Sequence, residues 1–217
     1  MTDAIPESPL PQTEDEINRR HNEKMAKKKA ARAKILATKT EERGLLIVHT
    51  GTGKGKSSAA FGMVARALGH GQRVAVVQFI KGRSDTGEEA FFQQYAQQQP
   101  ERLVWQVCGE GFTWETQDLA RDQATAAAAW QVALRYLSDP AYDLVVLDEL
   151  TYLFKYRWLD LDAAIASLQA RPPLQHVAIT GRAAPEALIA AADTVSEINV
   201  VKHAFKAGIA AQPGVDY

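Results

Sequence analysis

Between an apolar run at residues 45–48 and an apolar helical pattern that begins at residue 56 lies the nonamer Thr50-Gly51-Thr52-Gly53-Lys54-Gly55-Lys56-Ser57-Ser58. Strand, glycine-rich turn and helix in that order are the setting of a phosphate-binding P-loop. Glycine takes up positive φ without strain, so successive N–H groups converge on an anion, and the helix that follows adds the positive end of its dipole. Lys56 is then expected to meet phosphate oxygens and Ser57 to offer its hydroxyl to magnesium. The match to G-x-x-x-x-G-K-[ST] is imperfect, because the position six residues before Lys56 is Thr50, with Gly51 one residue late. A loop of somewhat different shape from that of ordinary ATPases is expected.

From residue 44 onward the pattern is regular. Short apolar, mostly β-branched runs at residues 45–50, 74–80, 103–108, 144–148 and 176–180 alternate with helical stretches at 56–68, 87–98, 117–137 and 161–170. Such a βαβ series predicts an α/β fold with a parallel sheet and helices on both faces. A last helix is expected to start near Pro185, followed by an extended segment around residues 195–201.

In an open parallel sheet ligands gather beyond the carboxyl ends of the strands. The residues that follow each run are therefore the informative ones: the P-loop, then Lys81, Gly82 and Arg83, then Gly109-Glu110-Gly111-Phe112-Thr113-Trp114, then Asp148-Glu149, then Thr180-Gly181-Arg182. Leu144-Val145-Val146-Leu147-Asp148-Glu149 reads as a Walker B strand, expected next to the P-loop strand. With Ser57, Glu149 would complete an all-oxygen magnesium site. Phe112 and Trp114 stand in a glycine-flanked loop, where they either form an apolar ligand face or plug the local core. His49 and His203 are possible polar contacts, although a lone histidine is more often structural.

Residues 1–43 differ in composition. Three prolines (Pro6, Pro9, Pro11) open the segment, and a charged stretch with few large apolar residues follows, which predicts a mobile arm with helical propensity. Its cluster Lys27, Lys28, Lys29, Arg32 and Lys34 fits a solvated helix face better than a nucleic-acid contact, and a lid over an anionic ligand is a third use. Residues 44–217 are expected to form one domain. The 217 residues are 46% hydrophobic, with a formal net charge of -1, which gives no global pull toward nucleic acid or anionic membrane. Cys108 is the only cysteine, so no disulfide closes within the chain. With no apolar run near the ~18 residues of a membrane span, and no signal-like start, a soluble cytoplasmic protein is expected.

The chain resembles the P-loop corrinoid adenosyltransferases of bacterial cobalamin synthesis. The resemblance covers residues 42–217 and rests on Thr50 to Gly62, on Val77-Gln78-Phe79-Ile80-Lys81-Gly82, on Gly111-Phe112-Thr113-Trp114-Glu115-Thr116, on Val146-Leu147-Asp148-Glu149-Leu150-Thr151-Tyr152, on Ile179-Thr180-Gly181-Arg182 and on Val201-Lys202-His203-Ala204-Phe205. It implies a RecA-like P-loop NTPase fold and transfer of the adenosyl group of ATP to Co(I) of a corrinoid, with triphosphate as leaving group and magnesium as cofactor. The nucleotide contacts it implies are Gly51, Thr52, Gly53, Lys54, Gly55, Lys56, Ser57, Ser58, Arg66, Arg182 and His203. Lys56 and Glu149 would serve the chemistry, and Ser57 and Glu149 the metal. Phe112 and Trp114 would cover the lower corrin face and exclude the axial ligand there. The resemblance also implies a homodimer, an arm that folds over the corrinoid, and a flavoprotein reductant, with no role for nucleic acid or membrane.

Other P-loop chemistries stay open on the residues alone. A RecA-like ATPase with a nucleic-acid-binding arm would use Glu149 to polarise water and would yield ADP and phosphate. A small-molecule kinase would yield ADP and a phosphorylated acceptor, and a nucleotide-binding regulator would yield neither.

Overall fold

The computed structural model describes residues 13–80, 86–108 and 119–217. The chain divides into two compact units, Met1–Glu42 and Arg43–Tyr217. In the first, helix α1 runs over Glu14–Ala37. Thr13 caps it by accepting a hydrogen bond from the Glu16 N–H at 3.3 Å. Glu14, Asp15 and Glu16 fill the first turn and Lys34 lies in the last, the charge order that favours the helix dipole. None of its residues is buried.

The second unit carries β1 (Leu46–Thr50), α2 (Lys56–Gly69), β2 (Val74–Gln78), α3 (Gly87–Gln98), β3 (Leu103–Val107), α4 (Leu119–Leu137), β4 (Leu144–Asp148), α5 (Thr151–Lys155), α6 (Leu161–Gln169), β5 (His176–Thr180), α7 (Glu186–Ala191) and β6 (Thr194–Glu197). A 3-10 turn, Ala204–Ala207, follows. The strands form one sheet in the order β3-β2-β4-β5-β1-β6, every pairing parallel.

Alternation along the strands explains the layers. Val74, Val76, Leu144, Val146 and Ala178 face α2 and α3, where they pack with Ala60, Phe61, Val64 and Phe92. Ala75, Val77, Val145, Leu147, Val177 and Ile179 face the other way, onto Ala126, Trp130 and Ala133 of α4, Leu168 of α6 and Leu188 of α7. Strands buried on both faces must be apolar throughout, which is why these runs read as continuous. Only β6, at the edge, is exposed at every position, and its Thr-Val-Ser-Glu sequence is correspondingly polar.

The predicted neighbourhood of the Walker B strand is corrected here: β4 does not adjoin β1, because β5 lies between them. The small Ala178 in β5 lets α2 sit close above the strand, and Val177 and Ile179 fill the opposite core. The five-residue α5, which starts at Thr151 just past Glu149 and Leu150, went unpredicted, and the extended segment expected near 195–201 is a strand over Thr194–Glu197.

Candidate active site

The loop after β1 turns through positive φ at Gly51 (101°) and Gly55 (105°). Gly51 lies so close to the Ile198 carbonyl that no side chain fits there. Gly53 packs on the same carbonyl and donates its N–H to it at 2.7 Å. Ile198 in turn donates its N–H to the Thr50 carbonyl at 2.8 Å. The loop is thus stapled to the segment after β6, and one amide that an ordinary P-loop offers to phosphate is committed elsewhere. Gly55 caps α2 without a side-chain hydrogen bond, which leaves the first-turn amides to an anion. The buried Lys56 ammonium bonds back to the Gly53 carbonyl at 2.7 Å, and burial pushes its pKa down against the opposing pull of Glu149.

The acidic strand end contains two carboxylates in different states. Asp148 is fully engaged: Gln78 Nε2 donates to one oxygen at 3.1 Å and the Thr180 hydroxyl to the other at 2.7 Å. Gln78 is itself held by the Trp105 indole N–H at 3.0 Å. Glu149 has its backbone N–H on the Thr180 hydroxyl at 2.9 Å and a φ of 59°, a left-handed conformation that costs a non-glycine residue some strain. Its Oε2 is buried with no hydrogen-bond partner. Burial first, and the adjacent Asp148 second, push its pKa up to about 7, while Lys56 and Arg182 pull the other way. Thr180, at the end of the intervening β5, thus bonds both residues of the acidic strand end.

Arg182 follows a glycine, Gly181, whose φ of 139° and close approach to Thr151 exclude any side chain. The Thr151 hydroxyl donates to the Arg182 carbonyl at 2.8 Å. These strand ends enclose a cavity of about 530 Å³. Of the residues expected at the site, Gly53, Lys54, Gly55, Lys56, Ser57, Ser58, Glu149 and Arg182 line it. Gly51 shapes the turn from behind, and Thr52 is exposed beside it. His203 lines an adjoining cavity of about 350 Å³ that shares Gly53 and Lys54 with the first, and its Nδ1 accepts the Phe205 N–H at 3.2 Å. Arg66 is not brought to the site. Ten residues beyond Lys56 along α2, it stands roughly 15 Å up the helix and lines a separate cavity with Ile47, His70 and His176. Phe112, Trp114 and Lys81, Gly82 and Arg83 lie outside the described residues.

His49, at the end of β1, is buried with neither ring nitrogen bonded, and burial lowers its pKa. Tyr152, Glu88 and the segment Gly214, Val215, Asp216 and Tyr217 also line the larger cavity, and none was anticipated. Gln78 carried a signal, a polar residue ending an otherwise apolar buried run. Asp216 carried none, being 162 residues from its partner Lys54.

A parallel sheet with a glycine-rich loop at one strand end, an unpaired buried carboxylate at another and cations between them defines a P-loop nucleotide-binding protein. The family model described as ATP:corrinoid adenosyltransferase BtuR/CobO/CobP matches residues 42–217, and the chain belongs to that family. A corrinoid adenosyltransferase of Pseudomonas aeruginosa is 58% identical over 202 residues, 93% of this chain and 98% of that protein. The corrinoid adenosyltransferase CobA of Salmonella typhimurium is 51% identical over 84% of this chain and 90% of its own length. That of Escherichia coli K12 is 45% identical, over 94% and 99%. The chain is an enzyme that adenosylates corrinoids with ATP, and this assignment displaces the ATPase and kinase alternatives. Among the described residues no helix is long and apolar enough to cross a membrane.

Proposed function

We propose that the cobalt lone pair of a Co(I) corrinoid attacks C5′ of ATP within the cavity bounded by the P-loop, Glu149 and Arg182. The Co–C bond forms as the C5′–O bond breaks, and the electron pair leaves on the α-phosphate oxygen, so that inorganic triphosphate departs whole. The observation that carries this reading is the buried, unpartnered Oε2 of Glu149 on the wall of a cavity that the cations Lys54, Lys56 and Arg182 also line. Such a carboxylate oxygen lacks a partner until a cation arrives.

Magnesium fits the donors present, because Ser57 contributes a hydroxyl and Glu149 a carboxylate oxygen, the hard ligands this ion prefers. When bound it supplies positive charge against the triphosphate. Lys56 exchanges the Gly53 carbonyl for a phosphate oxygen, and together with Arg182 and the first-turn amides of α2 it neutralises charge as the leaving group forms. Co(I) has no proton to surrender, so no general base is needed and Glu149 serves as a ligand. The commitment of the Gly53 N–H to Ile198 supports a nucleotide that lies reversed relative to ordinary P-loop ATPases.

Phe112 and Trp114 cover the lower corrin face in this reading, and His203 contacts the substrates from the adjoining cavity. The enzyme works as a cytoplasmic homodimer whose arm, α1, folds over the corrinoid, and a flavoprotein supplies the electron for Co(II). Product analysis tests the core of the proposal. Purified enzyme with ATP, magnesium and chemically reduced corrinoid is expected to yield triphosphate and adenosylated corrinoid in equal amounts. Formation of ADP with phosphate in their place would overturn it.

A further inference from the structure

The wall of the phosphate cavity contains an anion where a polyphosphate site is expected to hold cations. Asp216 stands on that wall and pairs with Lys54 of the P-loop through its Oδ1. Its other oxygen accepts the Gln212 N–H at 3.0 Å, and its own N–H donates to the Gln212 carbonyl at 2.8 Å. One carboxylate therefore both closes a local turn and fixes a P-loop lysine. Among the described residues six charged side chains line the cavity, Lys54, Lys56 and Arg182 against Glu88, Glu149 and Asp216. The formal balance of these six is zero, which is poor for a ligand that brings about four negative charges at neutral pH unless an internal pair opens.

The Lys54–Asp216 pair is the one suited to open. The Lys54 side chain is 55% exposed and that of Asp216 20%, and solvated pairs of this kind are weak. Triphosphate oxygens offer Lys54 a stronger partner than a single carboxylate. Lys54 and Asp216 also line the adjoining cavity that holds His203, so the pair stands between the two spaces.

We propose that Asp216 is a displaceable internal anion of the polyphosphate site. It holds Lys54 while the cavity is empty, yields the ammonium when polyphosphate binds and reclaims it as triphosphate leaves, so that it weakens product retention and speeds turnover. Asp216 acts through Lys54 and is a positioning residue. The inference rests on triphosphate being the leaving group.

The test is Asp216→Asn, which keeps an acceptor for the Gln212 N–H while removing the charge. Calorimetric titration with magnesium tripolyphosphate is expected to show binding about tenfold tighter than in the parent enzyme at low salt, as removal of one nearby like charge implies. Steady-state kinetics should show KM for ATP and kcat falling together, with triphosphate a correspondingly stronger inhibitor. Asp216→Glu should return all three toward the parent values. A carboxylate that merely braces the turn predicts the opposite sign, so unchanged or weaker tripolyphosphate binding in the asparagine variant would overturn the inference. Asp216→Ser, which also retains an acceptor, gives the same readout if the asparagine variant is unstable. The parent enzyme separates the two levels of argument: if it releases no triphosphate from ATP, both readings fall, whereas triphosphate release with no tightening in the variants sinks only the role of Asp216.

Discussion

Polar groups at the amino ends of the strands mostly close on one another, whereas at the carboxyl ends Asp148 is engaged but Glu149 Oε2, on the cavity wall, is not. At the amino ends, Asp193 accepts the Leu46 N–H at 2.8 Å and pairs with Arg43 at 2.6 Å. Arg171 donates to the carbonyls of Leu168, Gln175 and Gly44. Gln175 Nε2 reaches the carbonyls of Tyr136, Asp139 and Tyr142, although its Oε1 is unpartnered. At the carboxyl ends, Glu149 and Ala183 are held at positive φ, Glu149 Oε2 is orphaned and Lys56 bonds only its own loop among the described contacts. One end of the sheet pins the strands together, and the other, where the proposed site lies, carries the strained and unpartnered groups.

The largest effect expected from this division is on catalysis at the strained end. Lys56→Ala should cut kcat by about two to three orders of magnitude, the usual loss when one charge-stabilising donor is removed. Its melting temperature should stay close to that of the parent, because the lysine bonds only a loop carbonyl. Turnover within a few-fold of the parent, at saturating prereduced corrinoid, would break the assignment of the carboxyl end as the reaction site.

Glu149→Gln is expected to separate function from stability. Activity should fall at least tenfold at fixed magnesium, since a neutral amide is a poor ligand for a hard cation. Without nucleotide or metal, the same change should raise stability by roughly 1–3 kcal/mol, because an unpaired buried charge is removed. Thermal melts in chelator read this directly. A lower melting temperature would mean that Glu149 is a structural member of the strand end.

How much of this division the sequence reveals depends on which contacts are local. The P-loop, the Asp148-Glu149 strand end and the positions of five strands were legible because each is a contiguous run with its own periodicity. The place of β5 between β1 and β4 was not, since strand order is set by how Ala178 and its neighbours pack against helices distant in sequence. The different states of Asp148 and Glu149 were equally hidden, because Gln78 and Thr180, from two other strands, decide which carboxylate stays free. Arg66 was misplaced for a simpler reason. A helix that starts at the loop carries its last turn away from it, and ten residues are too many for a side chain to reach back.

The smallest effect belongs to the locked end and concerns pH. Asp193 has its pKa held below the usual carboxylate value, chiefly by the Leu46 N–H and then by Arg43. A carboxylate whose pKa is lower in the folded than in the unfolded chain stabilises fully above the unfolded value of about 4, and loses that contribution as pH falls through the folded value. Asp193→Asn keeps the hydrogen bond to Leu46 sterically possible but removes the charge. Its melting temperature should lie a few degrees below that of the parent at pH 7, and the gap should narrow steadily as both proteins are titrated below pH 4, because the parent then loses the same charge. The pair with Arg43 is largely solvated on the arginine side, 51% exposed, so added salt should shrink the gap at pH 7 while the part due to the Leu46 N–H persists. Turnover measured well below the melting transition should match the parent. A gap independent of pH would show that Asp193 acts by shape alone, and an activity loss at low temperature would show that the two ends of the sheet are not independent.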